Sequence, residues 1–600
     1  MDSSYWSRSA NRPNGRVSRR ALIRRGAGGA VVLAGAALLG CDTRTTPPLP
    51  TGTAVPATTP TATPATTTGQ APRRGGTLRI GGQLTSDVAG FDYDRLGSAA
   101  IGSVANLAGV KLVQWDERPG RPGPVEGVLP DLAESWETPD GGLTWNFKLR
   151  RGVKTSDGLE VKAEDVVWSL NRQAAVRPAR PGLLEGNLPD LYTRKQVNAR
   201  AIDDATVQIK IARPDADFLS MMGSHWWTIQ HKDVVTKQGA QPGTAPGGWG
   251  EITGIDQIRG GGAYYPVEHS AASGFKLRRN PNYYDTSVAL VDEIEHPLIA
   301  DPVDAAAALE AGRLDAFGPL TQVTVAQATQ LQQSEKVNVD WQPCIAWNPW
   351  IFDMRSAPFN DVRVRRALAL AIDREAWIKN LLLGRGRNGT MVLPWLSYWA
   401  LDPAKMEDDG KYFTYDPTEA KRLLLAAGQE KLKFVLQTSN NSAYTTTYRY
   451  ADLMSSMLGG VGVVQETRIV EHAAHIGGET FPGRGIYQSA VARPDIQSYA
   501  YGQVGLGGTT VGGADVWGGL AQVDEEYRAF REVAEKQRVT QDRTARRELI
   551  YDMQRRMARN VWSFYWPAPD SPIVSSKKLH NFRPVPGWNW GSMKHVWKDA

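Results

Sequence analysis

Two histidines separated by two alanines are the first residues in this chain whose spacing could do chemistry. They lie in Glu471-His472-Ala473-Ala474-His475, and positions three apart share one face of a helix. Both imidazoles could then bind one metal ion. No further metal ligand stands nearby in the sequence, and the start of a surface helix explains the same pattern. The sequence therefore leaves metal binding open here and predicts no metal or cofactor.

The motifs of common enzyme classes do not occur in the 600 residues. There is no His-Glu-x-x-His pair, no Gly-x-Ser-x-Gly elbow and no Walker loop. Two glycine-rich stretches, at 247–254 and 258–265, favour turns over phosphate binding. A secreted hydrolase on an α/β scaffold is the remaining enzyme alternative, and the chain is predicted not to be an enzyme.

Helical periodicity is strongest between Asp361 and Gly384, which we expect to cap and to end one long helix. Its core-facing stripe follows the spacing i, i+3, i+4, i+7, i+8 and consists of Val364, Ala367, Leu368, Ala371 and Ile372. A second helix is predicted over 417–427, with Asp416 as its cap, Pro417 at its first position, Glu419 at the capping-box position and Gly428 at its end.

Strand patterns alternate with these helices. The residues Leu143, Trp145, Phe147 and Leu149 share one face of a strand that follows the turn Asp140-Gly141-Gly142, which predicts a hairpin. Residues 432–438 and 463–470 read as further strands, and 163–172 as a helix with acids in its first turn. This alternation predicts an α/β chain of layered sheets.

A basic helix is predicted at 542–559, with Leu549, Ile550, Met553 and Met557 on its core face. Its arginines form a solvated face or, alternatively, a surface that docks to a membrane permease.

The N-terminus carries the pattern of an export signal. Residues 26–40 are apolar but shorter than the roughly 20 residues that span a bilayer, and they follow a basic region. The segment Ser18-Arg19-Arg20-Ala21-Leu22 resembles a twin-arginine signal, although the general export route stays open. Leu38-Leu39-Gly40-Cys41 resembles a lipobox, so we expect lipidation at Cys41. The Thr- and Pro-rich residues 43–74 are typical of an extended tether.

The charge and the cysteine content bear on nucleic-acid binding and on disulfide formation. The chain has 69 basic and 63 acidic residues, of which residues 1–40 hold seven and one, so the mature chain has 62 of each. A neutral chain gives no reason to expect nucleic acid as a partner. Only Cys344 remains beside Cys41, which excludes an internal disulfide once Cys41 is lipidated.

Several segments, in order, resemble family 5 of the extracellular solute-binding proteins, the peptide- and nickel-type receptors of ABC importers. The resemblance covers residues 75–600 and is carried by Leu132-Ala133-Glu134-Ser135-Trp136, Phe147-Lys148-Leu149-Arg150, Ala163-Glu164-Asp165-Val166, and by the segments 260–268, 275–285, 308–317 and 358–376. Thr155, Lys162, Gly261 and Ala263 depart from the family's pattern, which marks a divergent branch.

The resemblance implies a periplasmic-binding-protein-like type II fold, with two α/β lobes joined by hinge crossings near 339–347 and 562–569 and an inserted subdomain. The implied organisation is a signal peptide (1–40), the lipidated Cys41 with its tether (41–74), lobe I in three parts (75–110, 212–338 and 563–600), the inserted subdomain (111–211) and lobe II (339–562).

The same resemblance places three aromatic groups at the cleft between the lobes. The expected ligand-binding residues are Trp347, Trp350, Trp395, Tyr398, Trp399, Asp495 and Tyr499. Asp495 corresponds by order to the aspartate that pairs with the α-amine of bound peptides, although a structural cap explains it too. Core packing is the alternative for each aromatic residue.

The resulting expectation is a monomeric lipoprotein on the outer face of the cytoplasmic membrane, which captures a peptide or similar-sized solute for ABC permease subunits. The membrane is contacted through the lipid alone. A sugar or oligosaccharide receptor of the same fold is the alternative.

Overall fold

The computed structural model describes 21 stretches of the chain. They are residues 71–81, 91–96, 99–118, 127–176, 198–211, 213–224, 227–237, 249, 252–270, 274–297, 299, 301–317, 323–342, 350–352, 354, 357–392, 396–439, 445–470, 486–488, 524–583 and 590–599.

Strands and helices alternate along these stretches, as the sequence predicts. The strands are β1 Thr77–Gly81, β2 Val113–Trp115, β3 Val128–Pro130, β4 Ala133–Glu137, β5 Thr144–Leu149, β6 Ala199–Asp203, β7 Thr206–Lys210, β8 Tyr264–Ser270, β9 Gly274–Arg279, β10 Glu293–His296, β11 Ala316–Phe317, β12 Val337–Gln342, β13 Trp350–Phe352, β14 Gly386–Asn388, β15 Lys433–Ser439, β16 Val464–Val470, β17 Ile486–Gln488, β18 Ser563–Phe564, β19 Pro567–Pro569, β20 Ser571–Ser576, β21 Leu579–His580 and β22 Trp597–Lys598.

The α-helices lie between them in the same mixed order. They are α1 Tyr93–Leu96, α2 Ala99–Ala108, α3 Ala163–Val176, α4 Phe218–Met222, α5 Lys232–Lys237, α6 Pro302–Glu310, α7 Val325–Leu331, α8 Val362–Leu370, α9 Arg374–Asn380, α10 Pro417–Ala426, α11 Thr445–Gly459, α12 Glu525–Val539 and α13 Arg543–Asn560. The α/β class is confirmed.

Sheet A has seven strands in the order β12-β20-β11-β1-β10-β9-β8. Strand β20 comes from near the end of the chain but lies between β12 and β11, antiparallel to both. A core that includes Leu78, Ile80, Tyr264 and Ile294 packs on this sheet. Sheet A is therefore assembled from segments far apart in the sequence.

Sheet B has four strands in the order β4-β5-β7-β6 and has its own core. The predicted hairpin is confirmed, because β4 and β5 pair antiparallel and Asp140 lies in the turn between them. Trp145, Phe147 and Leu149 are buried on one face of β5. We refer to the part of the molecule built on sheets A and B as lobe I.

Sheet C has five strands in the order β16-β15-β17-β13-β18, with β15 parallel to β16 as their helical connection requires. The largest core surrounds it and takes side chains from α8, α10, α12 and α13. We refer to this part as lobe II.

The chain passes between sheets A and C twice. It leaves sheet A after Gln342 and enters sheet C at Trp350; it leaves sheet C after Phe564 and re-enters sheet A at Ser571. Strand β19, on the second passage, pairs with β14. Sheet membership thus changes a few residues after the predicted boundaries at 338/339 and 562/563, which stay predictions.

The expected single helix between Asp361 and Gly384 is wrong, because two helices, α8 and α9, occupy that stretch. The break lies at Ala371–Asp373, where Asp373 leaves the helical conformation and its carboxylate accepts a hydrogen bond from the Ala376 backbone N–H. Side-chain capping competes with continuation of the helix. The predicted stripe is buried, with Val364, Ala367 and Leu368 on α8 and Ala371 and Ile372 in the break that follows it.

The other helix predictions hold with two differences. Asp416 caps α10 through the Glu419 backbone N–H, but the Glu419 carboxylate bonds to Arg422 rather than closing a capping box. On α13, Ile550, Met553 and Met557 are buried as predicted, whereas Leu549 is partly exposed and Arg546 and Gln554 are buried instead.

Candidate ligand-binding site

Three of the seven expected ligand-binding residues fall within the described residues. Trp347, Trp395, Asp495 and Tyr499 lie outside them, as do His472, His475 and Cys41. Of Trp350, the backbone is described.

The backbone of Trp350 lies in β13, the strand next to the edge strand β18 of sheet C. It pairs with Gln488 on one side and with Phe564 on the other. Because β13 is the first strand after the chain enters lobe II, Trp350 lies where the first passage meets sheet C. Its role in ligand binding stays a prediction.

Tyr398 and Trp399 form an edge-to-face pair with ring centroids 4.8 Å apart. Trp399 is 5 % exposed and belongs to the lobe II core, while Tyr398 packs against that core from the side. Their backbone carbonyls accept hydrogen bonds from α13, Trp399 O from Gln554 Nε2 at 2.8 Å and Tyr398 O from the Tyr551 hydroxyl at 3.4 Å. The pair is fixed to α13.

Arginines of α13 cover the faces of both rings. The Arg543 guanidinium lies 4.2 Å from the Tyr398 centroid, Arg547 lies 4.9 Å from it, and Arg546 lies 5.3 Å from the Trp399 centroid. These distances are within the range of cation–π attraction. The Trp399 ring is therefore occupied by protein contacts in this conformation, whereas Tyr398 is partly exposed.

Arg546 also connects the aromatic pair to lobe I. Its guanidinium donates to both carboxylate oxygens of Asp217, at 2.9 and 2.6 Å, and to Gln537 Oε1 at 3.1 Å. Asp217 precedes α4, whose Phe218 lies in the sheet B core. A bidentate pair of this kind is both strong and directional.

A second buried ion pair lies beside the first. Arg538 Nε donates to Asp215 at 3.0 Å with both side chains 1 % exposed, and Ala216 N donates to Arg538 O at 2.8 Å. Arg213 and Glu535 form an exposed pair at 2.6 Å at the edge of the same region. We call these residues, Arg213, Asp215, Ala216 and Asp217 with Glu535, Arg538 and Arg546, the interlobe contact.

Burial raises the pKa of Asp215, and the Arg538 charge opposes that rise. The direct donor–acceptor contact favours the ionised carboxylate once the pair is formed. Opening the contact to water would remove that pairing.

The interlobe contact was not foreseen from the sequence. Asp215 and Asp217 are more than 300 residues from Arg538 and Arg546, and nothing in their spacing relates them. The one local signal is Arg546, which the helical period of α13 places on the buried face with Ile550. A buried arginine needs a charged or polar partner, so its position indicates a contact but not with which residue.

The passages between the lobes also carry polar contacts. The Arg385 guanidinium, in lobe II, lies 4.1 Å from the centroid of Trp341 in β12. Arg387 bonds to Asp570 at 3.0 Å, and Asp570 N donates to Arg385 O at 3.0 Å. These contacts hold the second passage against lobe II.

Neither metal ligation nor membrane insertion is indicated within the described part of the chain. No group of three or more His, Cys, Asp or Glu side chains is placed there to hold an ion, and none of the helices described has the length and apolar character that crossing a bilayer needs.

Comparison with known proteins identifies the family. Residues 127–509 match the family described as bacterial extracellular solute-binding proteins, family 5 Middle. The dipeptide-binding protein of Escherichia coli (strain K12) is 27 % identical over 51 % of this chain and 56 % of its own length. Heme-binding protein A of Haemophilus influenzae is 27 % identical over 56 % of this chain and 61 % of its own length. The match thus spans somewhat over half the length of these curated relatives.

Solved structures share the fold across most of both chains. The periplasmic binding protein DppA of Helicobacter pylori, in complex with the peptide STSA, superposes with a TM-score of 0.69 at 19 % identity, covering 88 % of this chain and 99 % of that one. NikA of Brucella suis, in complex with Fe(III)-EDTA, gives 0.70 at 19 % identity over 87 % and 100 %. The chain belongs to family 5 of the bacterial extracellular solute-binding proteins.

Proposed function

We propose that this protein is the substrate-binding component of an ABC importer, and that it captures a peptide or similar-sized solute between lobes I and II for delivery to the permease. The observation that carries the proposal is the architecture. The two lobes have separate cores, and the chain passes from lobe I to lobe II between Gln342 and Trp350 and returns between Phe564 and Ser571. The chain also belongs to a solute-binding family. The relative in Escherichia coli is named a dipeptide-binding protein.

Capture by two lobes needs no chemistry on the ligand. A ligand that contacts both lobes favours the closed state by the difference between its affinities for the closed and the open state. Closure removes water from the ligand, which strengthens each polar contact in the cleft. The permease can then distinguish the closed, ligand-bound protein from the open, ligand-free protein by its conformation.

Asp495 is the proposed partner of a peptide α-ammonium, and Trp347, Trp350, Trp395, Tyr398, Trp399 and Tyr499 are the proposed walls. A buried ammonium requires a carboxylate partner, while aromatic walls give apolar contact with few fixed polar groups. Since arginines of α13 hold Trp399, we expect Tyr398 to contribute more of the contact of this pair.

We further propose that Cys41 carries the lipid that keeps the receptor at the membrane, and that residues 43–74 act as its tether. A lipid plus an extended linker raises the concentration of receptor near its permease. Labelling with a radioactive fatty acid should mark the wild-type protein, and C41S should abolish the label and release the protein from membranes.

Native mass spectrometry of protein purified without refolding tests the ligand class. We expect a retained mass that fragments as a peptide. Repeated retention of a carbohydrate would support the sugar-receptor alternative, and chemical conversion of any bound compound would contradict a role limited to binding.

The ammonium role of Asp495 has its own test. D495A should weaken binding of the identified peptide by at least about 30-fold, the equivalent of roughly 2 kcal/mol for an unpaired buried ammonium, as measured by titration calorimetry. D408A, which removes an exposed carboxylate elsewhere in lobe II, should leave the affinity unchanged. Equal affinities of D495A and wild type would exclude the ammonium contact.

A further inference from the structure

Two arginines of lobe II are buried to the same degree but have different partners. Arg365 on α8 and Arg374 at the start of α9 are each 3 % exposed. The Arg365 guanidinium donates from all three nitrogens, to Phe359 O at 2.7 Å, to Asn560 O at 3.0 and 3.2 Å and to Val561 O at 3.1 Å. Asp361 and Asp524 act on its charge from nearby.

Arg374 has fewer partners. Its Nη1 donates to Ala369 O at 2.9 Å and to Phe413 O at 3.3 Å, while its Nε has no acceptor among the described residues. The rings of Phe413 and Phe564 lie 5.2 and 4.5 Å from the guanidinium carbon. This buried donor is therefore only partly satisfied by the protein.

The charge of Arg374 is also uncompensated by the described residues. None of the ion pairs in the described part of the chain includes it, and burial alone lowers its pKa to about 9. Burial of an unpaired charge costs several kcal/mol. Carbonyl oxygens and aromatic faces offset part of that cost, but neither supplies a full negative charge.

A small cavity lies against this guanidinium. Its volume is about 20 Å³, and the lining residues that carry polar side-chain groups are Arg374, Thr390, Tyr412, Gln554, Ser563 and Tyr565. The rest of the lining is apolar or backbone, and none of the described residues around it is a carboxylate. This volume admits one species about the size of a water molecule.

We propose that this cavity is a binding site for a single halide ion, chloride under physiological conditions, held by Arg374 within lobe II. A water molecule would satisfy the Nε donor but leave the positive charge unbalanced. A chloride ion, slightly larger than water, accepts the same hydrogen bond and neutralises the guanidinium. The buried hydroxyl of Ser563, which has no hydrogen-bond partner among the described residues, can donate to it. Phosphate and carboxylic acids are too large for the volume.

The described residues that line the site all belong to lobe II. The site lies inside the lobe II core, among residues such as Met391, Met557 and Phe564, and none of its polar residues is among the expected ligand-binding residues. The ion would stabilise lobe II irrespective of which solute the protein carries.

Anomalous scattering from the wild-type protein gives the direct test. Crystals grown in sodium bromide should show an anomalous peak in the cavity, within hydrogen-bond distance of Arg374 Nε. Density without anomalous signal, whether a water molecule or a side chain, would overturn the proposal.

Thermal unfolding gives the second test in solution. Replacement of sodium gluconate by sodium chloride at constant ionic strength should raise the Tm of the wild type by on the order of 1–2 °C. Gluconate is too large for the cavity, so it controls for general salt effects. R374M should abolish this difference, whereas the matched control R365M should lower the Tm in both salts and keep the difference.

A third variant covers the case in which R374M does not fold. S563D supplies a carboxylate at the cavity and should remove the response to chloride while Arg374 is intact. A response to chloride that persists in S563D or in R374M would contradict the site.

Discussion

At the scale of single residues, burial decides how side chains titrate. His296 at the end of β10 is 2 % exposed and packs on Trp590, with ring centroids 5.0 Å apart. Burial lowers its pKa to about 4, and burial together with the Lys594 charge lowers the pKa of His595 to about 4. Both imidazoles are therefore neutral in the folded protein at pH values where the unfolded chain binds protons.

The difference between the pKa of these histidines in the folded and the unfolded state predicts a loss of stability in mild acid. The folded pKa lies below the unfolded value of about 6.5, so the unfolded state binds more protons between pH 6.5 and 4 and the free energy of unfolding falls as the pH falls through that window. The contribution is up to about 3 kcal/mol for His296. H296F should flatten the pH dependence of urea unfolding between pH 6.5 and 4.5.

The control for this experiment is His580. Its imidazole is about one third exposed and lies 3.1 Å from Asp599, so H580F makes the same replacement of histidine by phenylalanine outside the core. An unchanged slope in H296F would mean that His296 does not contribute and that other groups, His595 and the carboxylates among them, account for the loss in acid.

At the scale of elements, glycines allow the junction between sheets A and B. Gly109, after α2, forms isolated bridges with Gly260 and Gly261, and Gly260 N and Gly262 N both donate to Ala108 O at 3.0 and 2.9 Å. A Cβ at Gly260 would lie 2.0 Å from Ile229 O, and one at Gly262 would lie 2.3 Å from Leu107 O. The glycine run that the sequence predicts as a turn is a place where three backbone segments approach one another.

We therefore expect G260A to destabilise lobe I. The methyl group must displace the backbone at Ile229, which costs at least about 2 kcal/mol in the free energy of unfolding measured in urea. G459A is the matched control, because a Cβ there meets no atom within 4 Å, and its stability should equal or slightly exceed that of the wild type. Equal stability of G260A and wild type would show that the junction can relax.

At the scale of the whole molecule, the interlobe contact couples the two cores. Two buried ion pairs, Asp215 with Arg538 and Asp217 with Arg546, join a segment of lobe I to α12 and α13 of lobe II. Removal of one partner leaves the other charge buried and unpaired. Opening of the lobes has to keep this contact closed or disrupt both pairs.

Because the two cores are coupled through these ion pairs, a substitution that removes one charge should lower the free energy of unfolding strongly. D217N keeps the size of the side chain but removes its charge, so we expect a loss of about 3–5 kcal/mol in the free energy of unfolding, and separate unfolding of the two lobes in calorimetry. E535Q removes a charge from the exposed pair with Arg213 at the same contact and should cost about 1 kcal/mol or less. Similar losses in D217N and E535Q would show that Asp217 is hydrated.

Local patterns and the order of motifs were enough to predict much of the fold. The β4–β5 hairpin, the helices α3, α10 and α13 and the strands β15 and β16 follow from alternation, capping residues and helical periodicity, which are properties of neighbouring residues. The family follows from segments in a specific order. The break at Asp373 was missed because a residue that caps one helix can also stand inside another.

The tertiary structure decided which distant residues meet. Trp399 is predicted as a wall of the cleft, yet α13 arginines from about 150 residues away cover it. Asp217 meets Arg546, and Arg374 meets a cavity of lobe II, through contacts that no spacing in the sequence encodes. The sequence by itself determined the elements and the family, because these depend on local periodicity and on motif order. The partners of buried charges depend on how separate segments pack, so the folded structure alone decided them.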